Sequence, residues 1–362
     1  MTADPGLHEH VQLYRTVRSA HLERARALGG VTILHRSRRY DFDPALAQGV
    51  HLVAAGPWRT ALLLLRWRVL TLEVNEPLMV SAAATSLLAV VAGRLGAALR
   101  GRSVRVVTYA IENRDPAPAG VGVRGRWRRL RARALSAAVA RGVDRIAFGT
   151  PGSQELYLRL LERPLRRAEQ RLVTTAPAPC ACGSATGPAR PGSVAFVGAL
   201  EERKGFDVLA RAWPAVAASH PGSTLTVVGS GRLEGTAREL AARTPGVRLL
   251  VDPPRAVVHE VLGSASVLVL LSRQTPRWRE QVGLPLLEGL AHGCAVVTTA
   301  DTGLAPWLVE HGHTVLDATA GPEQAARALG AVLDAARTPA SVLADLPAQD
   351  GRAAAAAWLR RG

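Results

Sequence analysis

Residues 280–293 read EQVGLPLLEGLAHG, with Glu280 and Glu288 eight positions apart around Gly283 and Pro285. Gly283 and Pro285 open a short helix that Gly293 closes ahead of an apolar run at 295–299, which puts Glu280 in the loop and Glu288 inside the helix. A carboxylate accepts hydrogen bonds from two neighbouring hydroxyls at once, so one glutamate suits a ribose diol and the other a hexose hydroxyl. The backbone amides of Gln281, Val282, Gly283 and Leu284 add donors and the positive end of a helix dipole beside phosphate charge. The plain alternative is a pair of surface glutamates on an amphipathic segment.

Two further loops carry compatible chemistry. In FVGALEERKGFDVL a strand ends at Gly198 and a helix begins near Phe206, with Arg203 and Lys204 just ahead of it. Two cations beside a helix N-terminus form a diphosphate site, because unpaired N–H groups and the dipole add to the side-chain charge. A solvated charge run is the alternative; against it stands the fact that Lys204 is the single lysine of the chain. In VVGSGRLEG, Gly229 and Gly231 follow a strand directly, where missing side chains let a nucleotide approach, although a strand-to-helix turn needs glycine too.

Together FVGALEERKGFDVL, VVGSGRLEG and the E-x7-E element resemble the donor-binding half of retaining glycosyltransferases of family four, which have the GT-B fold. The resemblance spans residues 193–317 and continues more weakly in VDRIAFGTPGSQELY at 143–157. It implies a nucleoside-diphosphate sugar as co-substrate, no other cofactor and no required metal. It also implies that Arg203 and Lys204 bind the diphosphate, Glu280 and the amides near Gly283 the donor sugar, and Glu288 the ribose. The chain departs from the family in two places. Ala199 stands where members commonly have arginine, with Arg203 as the substitute cation. The chain also opens on what reads as the helix after the family's first strand.

The acceptor side is drawn from strand ends in the first half. VVTYAIENRDP ends a strand with Glu112, Asn113, Arg114 and Asp115; Glu112 either polarises an acceptor hydroxyl or caps its own loop. LEVNEP brings Glu73, Asn75 and Glu76 to another strand end. The D-x-D of Tyr40-Asp41-Phe42-Asp43 reads as a solvated loop and not as a metal site. Residues 123–142, VRGRWRRLRARALSAAVARG, form a basic amphipathic helix with Trp127 and Leu130 among the arginines, suited to an anionic membrane, with arginine-rich composition as the alternative.

The elements that must position these groups are α/β throughout. Apolar runs at 31–34, 50–54, 69–74, 104–109 and 145–149, then at 193–197, 224–228, 247–250, 267–271 and 295–299, alternate with helical patterns, which predicts two parallel sheets. Residues 10–28 read as a helix, 78–99 as a buried helix short of a membrane span, and 352–359 as a terminal helix after an irregular stretch at 339–350. The expected organisation is GT-B, two Rossmann-like domains facing a cleft: 1–173 on the acceptor side, a Pro/Gly-rich linker 174–192, a nucleotide-sugar domain 193–338, and a helical segment 339–362 that can cross back to the first domain.

Composition sets the outer limits. The 362 residues carry 45 basic and 29 acidic side chains, a net charge of +16 that is almost all arginine. No nucleic-acid module accompanies that charge. Cys180, Cys182 and Cys294 are too few for a disulfide framework and lack C-x-x-C spacing, so no metal site is expected. MTADPGLHEH lacks the pattern of a signal peptide, which favours the cytoplasm or the inner face of a membrane. The expected partners are the sugar donor and a carbohydrate, lipid-linked or small-molecule acceptor. The reading that competes is a nucleotide-sugar-binding or regulatory protein without turnover.

Overall fold

The computed structural model describes residues 8–39, 42–116, 122–182, 190–276 and 278–361. Tyr40 and Asp41 of the D-x-D lie outside them. The chain divides into two compact units, Met1–Val173 with Arg352–Gly362, and Thr174–Gly351.

Unit 1 is built on seven parallel strands, β1 (His10–Val17), β2 (Val31–Arg38), β3 (His51–Ala54), β4 (Thr71–Glu73), β5 (Arg105–Ala110), β6 (Arg145–Phe148) and β7 (Glu169–Leu172), in the order β3-β2-β1-β4-β5-β6-β7. The helix expected over 10–28 is half wrong: HVQLYRTV is the central strand β1, pairing with β2 on one side and β4 on the other, and only Ser19–Leu28 is helical. Its Val11, Leu13 and Val17 are buried at 3 % exposure or less and Gln12 at 4 %, as in a central strand covered on both faces. A strand therefore precedes the helix on which the chain was expected to open. The edge strand β7 is exposed at every residue and carries no apolar signal.

Unit 2 holds six parallel strands, β8 (Ser193–Val197), β9 (Thr224–Val228), β10 (Val247–Leu250), β11 (Val267–Leu270), β12 (Ala295–Thr299) and β13 (Thr314–Leu316), in the order β10-β9-β8-β11-β12-β13. The near-continuous apolar runs of β8, β11 and β12 are buried on both faces, as a parallel sheet between helices requires. In each unit the strand order reverses once, between β1 and β4 and between β8 and β11. Open parallel sheets bind ligands beyond the carboxyl ends of strands at that reversal.

Two expectations about flanking segments change. The described part of 174–192 packs on unit 2, with Thr175 and Ala176 buried and the Cys180 N–H donating to the Ala291 carbonyl. The irregular stretch at 339–350 contains the helix Pro339–Ala344, capped by the Thr338 hydroxyl, which accepts from the Ser341 N–H at 3.2 Å. From Arg352 onward the terminal helix Gly351–Arg360 belongs to unit 1, where Ala355, Trp358 and Leu359 pack with Val107 and Ala147.

Candidate functional site

The reversal in unit 2 brings three of its loops together. After β8 the chain makes a short turn over Glu202–Lys204 and enters the helix Phe206–Ser219 through Gly205, whose φ of 71° and tight approach to Leu271 exclude a side chain. That turn delivers Lys204 to the loop after β11. There the Lys204 ammonium forms an ion pair with the Glu280 carboxylate, and the Ser272 hydroxyl donates to the same Glu280 oxygen at 3.0 Å. Both charged side chains are about nine-tenths buried, at 12 % and 11 % exposure. Glu280 thus lies in the loop, as its position before Gly283 implies, bridged to Thr302 and held beside β12.

Trp278 is a residue the motif reading missed. Its ring faces both cations, with the Arg203 guanidinium 4.6 Å and the Lys204 ammonium 4.9 Å from the centroid. It stands at the end of a tight turn closed by Thr275 N–H donating to the Trp278 carbonyl at 2.7 Å. Only its place two residues before Glu280 could have pointed to it. Arg203 also pairs with Glu201 at 2.5 Å, and Arg273 with Asp207 at 2.6 Å. Each of these cations is thus matched by a local acid, and an incoming anion must exchange with carboxylates rather than with water.

Glu288 lies in the helix Leu284–Ala291, which opens on Gly283 at φ 84° with Pro285 in its first turn. Its carboxylate pairs with Arg255 at 3.0 Å, on a more exposed face than Glu280. The two glutamates of the E-x7-E element therefore engage different cations. Gly229 and Gly231 have a structural reason to be glycine. A Cβ on Gly229 would stand 1.9 Å from the Gly198 carbonyl oxygen and one on Gly231 2.6 Å from that of Leu200, so backbone meets backbone between the loops after β8 and β9. Gly198 itself donates its N–H to Val228 at 3.0 Å.

In unit 1 the end of β4 and the loop after it carry two buried carboxylates in contrasting surroundings. Burial works to raise the Glu73 pKa, but the Arg352 guanidinium ion-paired to it and the Gln12 amide at 2.8 Å bring it below the ordinary carboxylate range. Arg352 comes from the terminal helix and also stacks 4.1 Å over Tyr109. Glu76 accepts from the Ile111 and Glu112 N–H groups and the Tyr157 hydroxyl, each at 3.0 Å. None of these donors carries a charge, and burial pushes Glu76 up to about 7. Glu112 turns back on its own loop, accepting from the Arg114 N–H at 3.1 Å, the capping arrangement that the sequence allowed. Asn75 accepts from the Arg15 N–H at 3.2 Å and lines a pocket with Arg15, Arg36 and Ser81 beyond β1 and β2.

Asp43 caps the turn Pro44–Ala47 through the Ala45 N–H at 2.8 Å, a structural use of the one D-x-D acid that is described. The helix Gly122–Arg141 leaves Trp127 68 % and Leu130 59 % exposed among its arginines. Beside it Val80–Ala98 is long and apolar enough to cross a membrane. It buries one face, through Ala83, Ala89 and Val90, as a helix packed on a sheet does, and leaves Val91 and Leu95 exposed. The sequence reading did not bring together one further set of potential ligand atoms: Cys180 and Cys182 meet His259 and His292 in unit 2. Local spacing could not show this, because the histidines lie 79 and 110 residues further along.

Residues 191–335 match the family described as glycosyl transferases group 1. A granule-bound starch synthase 1 of Zea mays is 32 % identical over 120 residues, 32 % of this chain and 19 % of the maize protein. A glycogen synthase of Halorhodospira halophila is 30 % identical over 222 residues, 60 % of this chain and 41 % of its own. The chain spans less than half the length of either relative. Among solved structures, Anabaena Alr3699/HepE in complex with UDP superposes with a TM-score of 0.65 at 12 % identity, covering 92 % of this chain and 94 % of that one. The fold is thus α/β with two parallel sheets, that of GT-B glycosyltransferases.

Proposed function

We propose that the chain is a retaining glycosyltransferase that moves a sugar from a nucleoside diphosphate, held by unit 2, to an acceptor hydroxyl. The observation that carries this reading is the buried Lys204–Glu280 pair under the Trp278 ring, at the carboxyl ends of β8 and β11 where a parallel sheet binds ligands. The diphosphate of the donor takes Lys204 and Arg203 from their carboxylates, and the 281–284 amides add donors at the start of the Leu284–Ala291 helix. Glu280, released from Lys204, then accepts from sugar hydroxyls, and Glu288 from the ribose. As the glycosidic bond to the diphosphate breaks, negative charge grows on the leaving oxygens, and preorganised cations and amides stabilise it without reorganising.

The leaving diphosphate takes the acceptor proton on the same face, which gives retention and asks for no metal in the transfer step. The acceptor binds at unit 1, where Glu112, released from its own loop, polarises the acceptor hydroxyl and leaves the proton to the diphosphate, with Glu76 at the neighbouring strand end. The exposed Trp127, Leu130 and arginines of residues 123–142 fit an anionic bilayer beside a lipid-linked acceptor on a cytoplasmic face. Polysaccharide, glycolipid and natural-product glycosides share this chemistry.

The test is release of nucleoside diphosphate from a panel of nucleotide sugars, UDP-sugars first because UDP occupies one structure of the same fold. One donor is expected to turn over, with Lys204→Ala lowering kcat by about 100-fold or more, the usual cost of losing a preorganised charge donor. A product anomer opposite to that of the donor, read by NMR, rejects retention; no turnover with any donor and acceptor class, despite tight donor binding, favours the binding protein.

A further inference from the structure

Cys180, Cys182, His259 and His292 offer four ligand atoms that all lie within 4.8 Å of one another. Cys180 Sγ is 3.9 Å from His259 Nδ1, Cys182 Sγ 3.3 Å from His292 Nε2, and the two imidazole nitrogens are 3.1 Å apart. A tetrahedron with metal–sulfur bonds of about 2.3 Å and metal–nitrogen bonds of about 2.0 Å has S···N edges of about 3.5 Å and N···N edges of about 3.3 Å. The three observed edges, 3.9, 3.3 and 3.1 Å, lie close to these values, and the four atoms are near enough together to share one ion.

The arrangement continues outward from the four atoms. The His292 Nδ1–H donates to the Glu288 carbonyl at 2.7 Å, which fixes the tautomer that leaves Nε2 as the metal-facing lone pair. Cys180 is held by its own N–H donating to the Ala291 carbonyl at 2.8 Å, and the Cys182 N–H points at the Cys180 sulfur at 3.3 Å, so the two cysteines are fixed against each other in one short turn. His259 comes from the helix Arg255–Ser264, so three segments distant in sequence converge.

We propose that these four residues form a structural zinc site. Two thiolates and two imidazoles select zinc over the oxygen-seeking cations, and four protein ligands close the coordination sphere, leaving no position for substrate. The ion ties the segment entering unit 2 to the C-terminal end of the Leu284–Ala291 helix, the same helix that carries Glu288, and to the helix of its partner Arg255. The site lies on unit 2 alone and stands whether or not the chain transfers sugar.

The test uses the full chain, purified under reducing conditions without chelator. Elemental analysis is expected to find about one zinc per chain, and Co2+ exchanged for it to give a thiolate charge-transfer band with the intense visible bands of tetrahedral cobalt. Cys182 is exposed, so Cys182→Ser should fold, lose the charge-transfer intensity, and bind zinc more weakly than the roughly 10–100-fold loss that removal of an outer partner causes. Cys294→Ala, at the buried third cysteine, should keep the metal. Chelation should lower the Tm of the wild type but not of Cys182→Ser. Zinc absent from the purified chain together with no tetrahedral cobalt spectrum, or metal content and spectrum unchanged in Cys182→Ser, overturns the proposal, as does a Cys180–Cys182 disulfide in the freshly purified protein.

Discussion

The two units place carboxylates after the corresponding strand of the same topology and treat them differently. In unit 2, Glu280 follows β11 and meets the ammonium of Lys204 under an indole ring. In unit 1, Glu73 ends β4 and is sealed by a guanidinium delivered from the far end of the chain, while Glu76, three residues on, is surrounded by neutral donors. Three buried acids thus have three fates. One is paired with a flexible ammonium, the pair proposed above to exchange with a ligand; one is fastened by a planar guanidinium; and one, among neutral donors, keeps its proton to near neutral pH.

Arg352→Met should show the largest effect on stability, because it strands Glu73 in the core: about 3–5 kcal/mol at pH 7, read from urea unfolding. Adding Glu73→Gln should recover most of that loss. If Arg352→Met alone is neutral, the terminal helix is not the fastener and the contrast with Lys204 collapses.

Glu76 sharpens the comparison through pH. Its folded pKa of about 7 lies above the ordinary carboxyl value of 4.5, so the folded chain holds a proton that the unfolded chain releases between those values. Stability due to this group is full below about pH 4.5 and falls as the pH rises to about 7, by about 3 kcal/mol at 1.36 kcal/mol per unit. Glu76→Gln should remove that slope, matching the wild type near pH 5 and exceeding it at pH 8. Parallel pH–stability curves for the two proteins would show that neutral donors suffice to hold the carboxylate.

The smallest effect is expected at Trp278. Losing two cation–π contacts in a partly exposed setting costs about 1 kcal/mol of stability, and Trp278→Phe should keep most of it. Donor affinity should fall a few-fold in Trp278→Ala, since Lys204 loses the surface that aims it; unchanged affinity would confine the ring to packing.

What the sequence disclosed follows the same division. Unit 2 was legible because its candidate site residues lie in loops after strands long and apolar enough to recognise: β8, β9, β10 and β12 begin and end where the residues predict. β13 has only three residues and leaves no pattern. Unit 1 was harder. β1 was hidden because it runs directly into the Ser19–Leu28 helix, and the two blend into one amphipathic stretch. The Glu73–Arg352 pair joins residues 279 apart, and the Cys/His cluster joins segments separated by most of unit 2. Such contacts are set by the topology of the sheet, which no local spacing encodes.

The central claim is that the Lys204–Glu280 pair is a diphosphate site. Isothermal titration of UDP and the other nucleoside diphosphates into the wild type and into Lys204→Ala tests it without requiring an acceptor. One nucleotide should bind, and the variant should lose about 10–100-fold in affinity, as removal of a charge-assisted contact does. Equal affinity in the two proteins, or no binding of any nucleoside diphosphate, would contradict it.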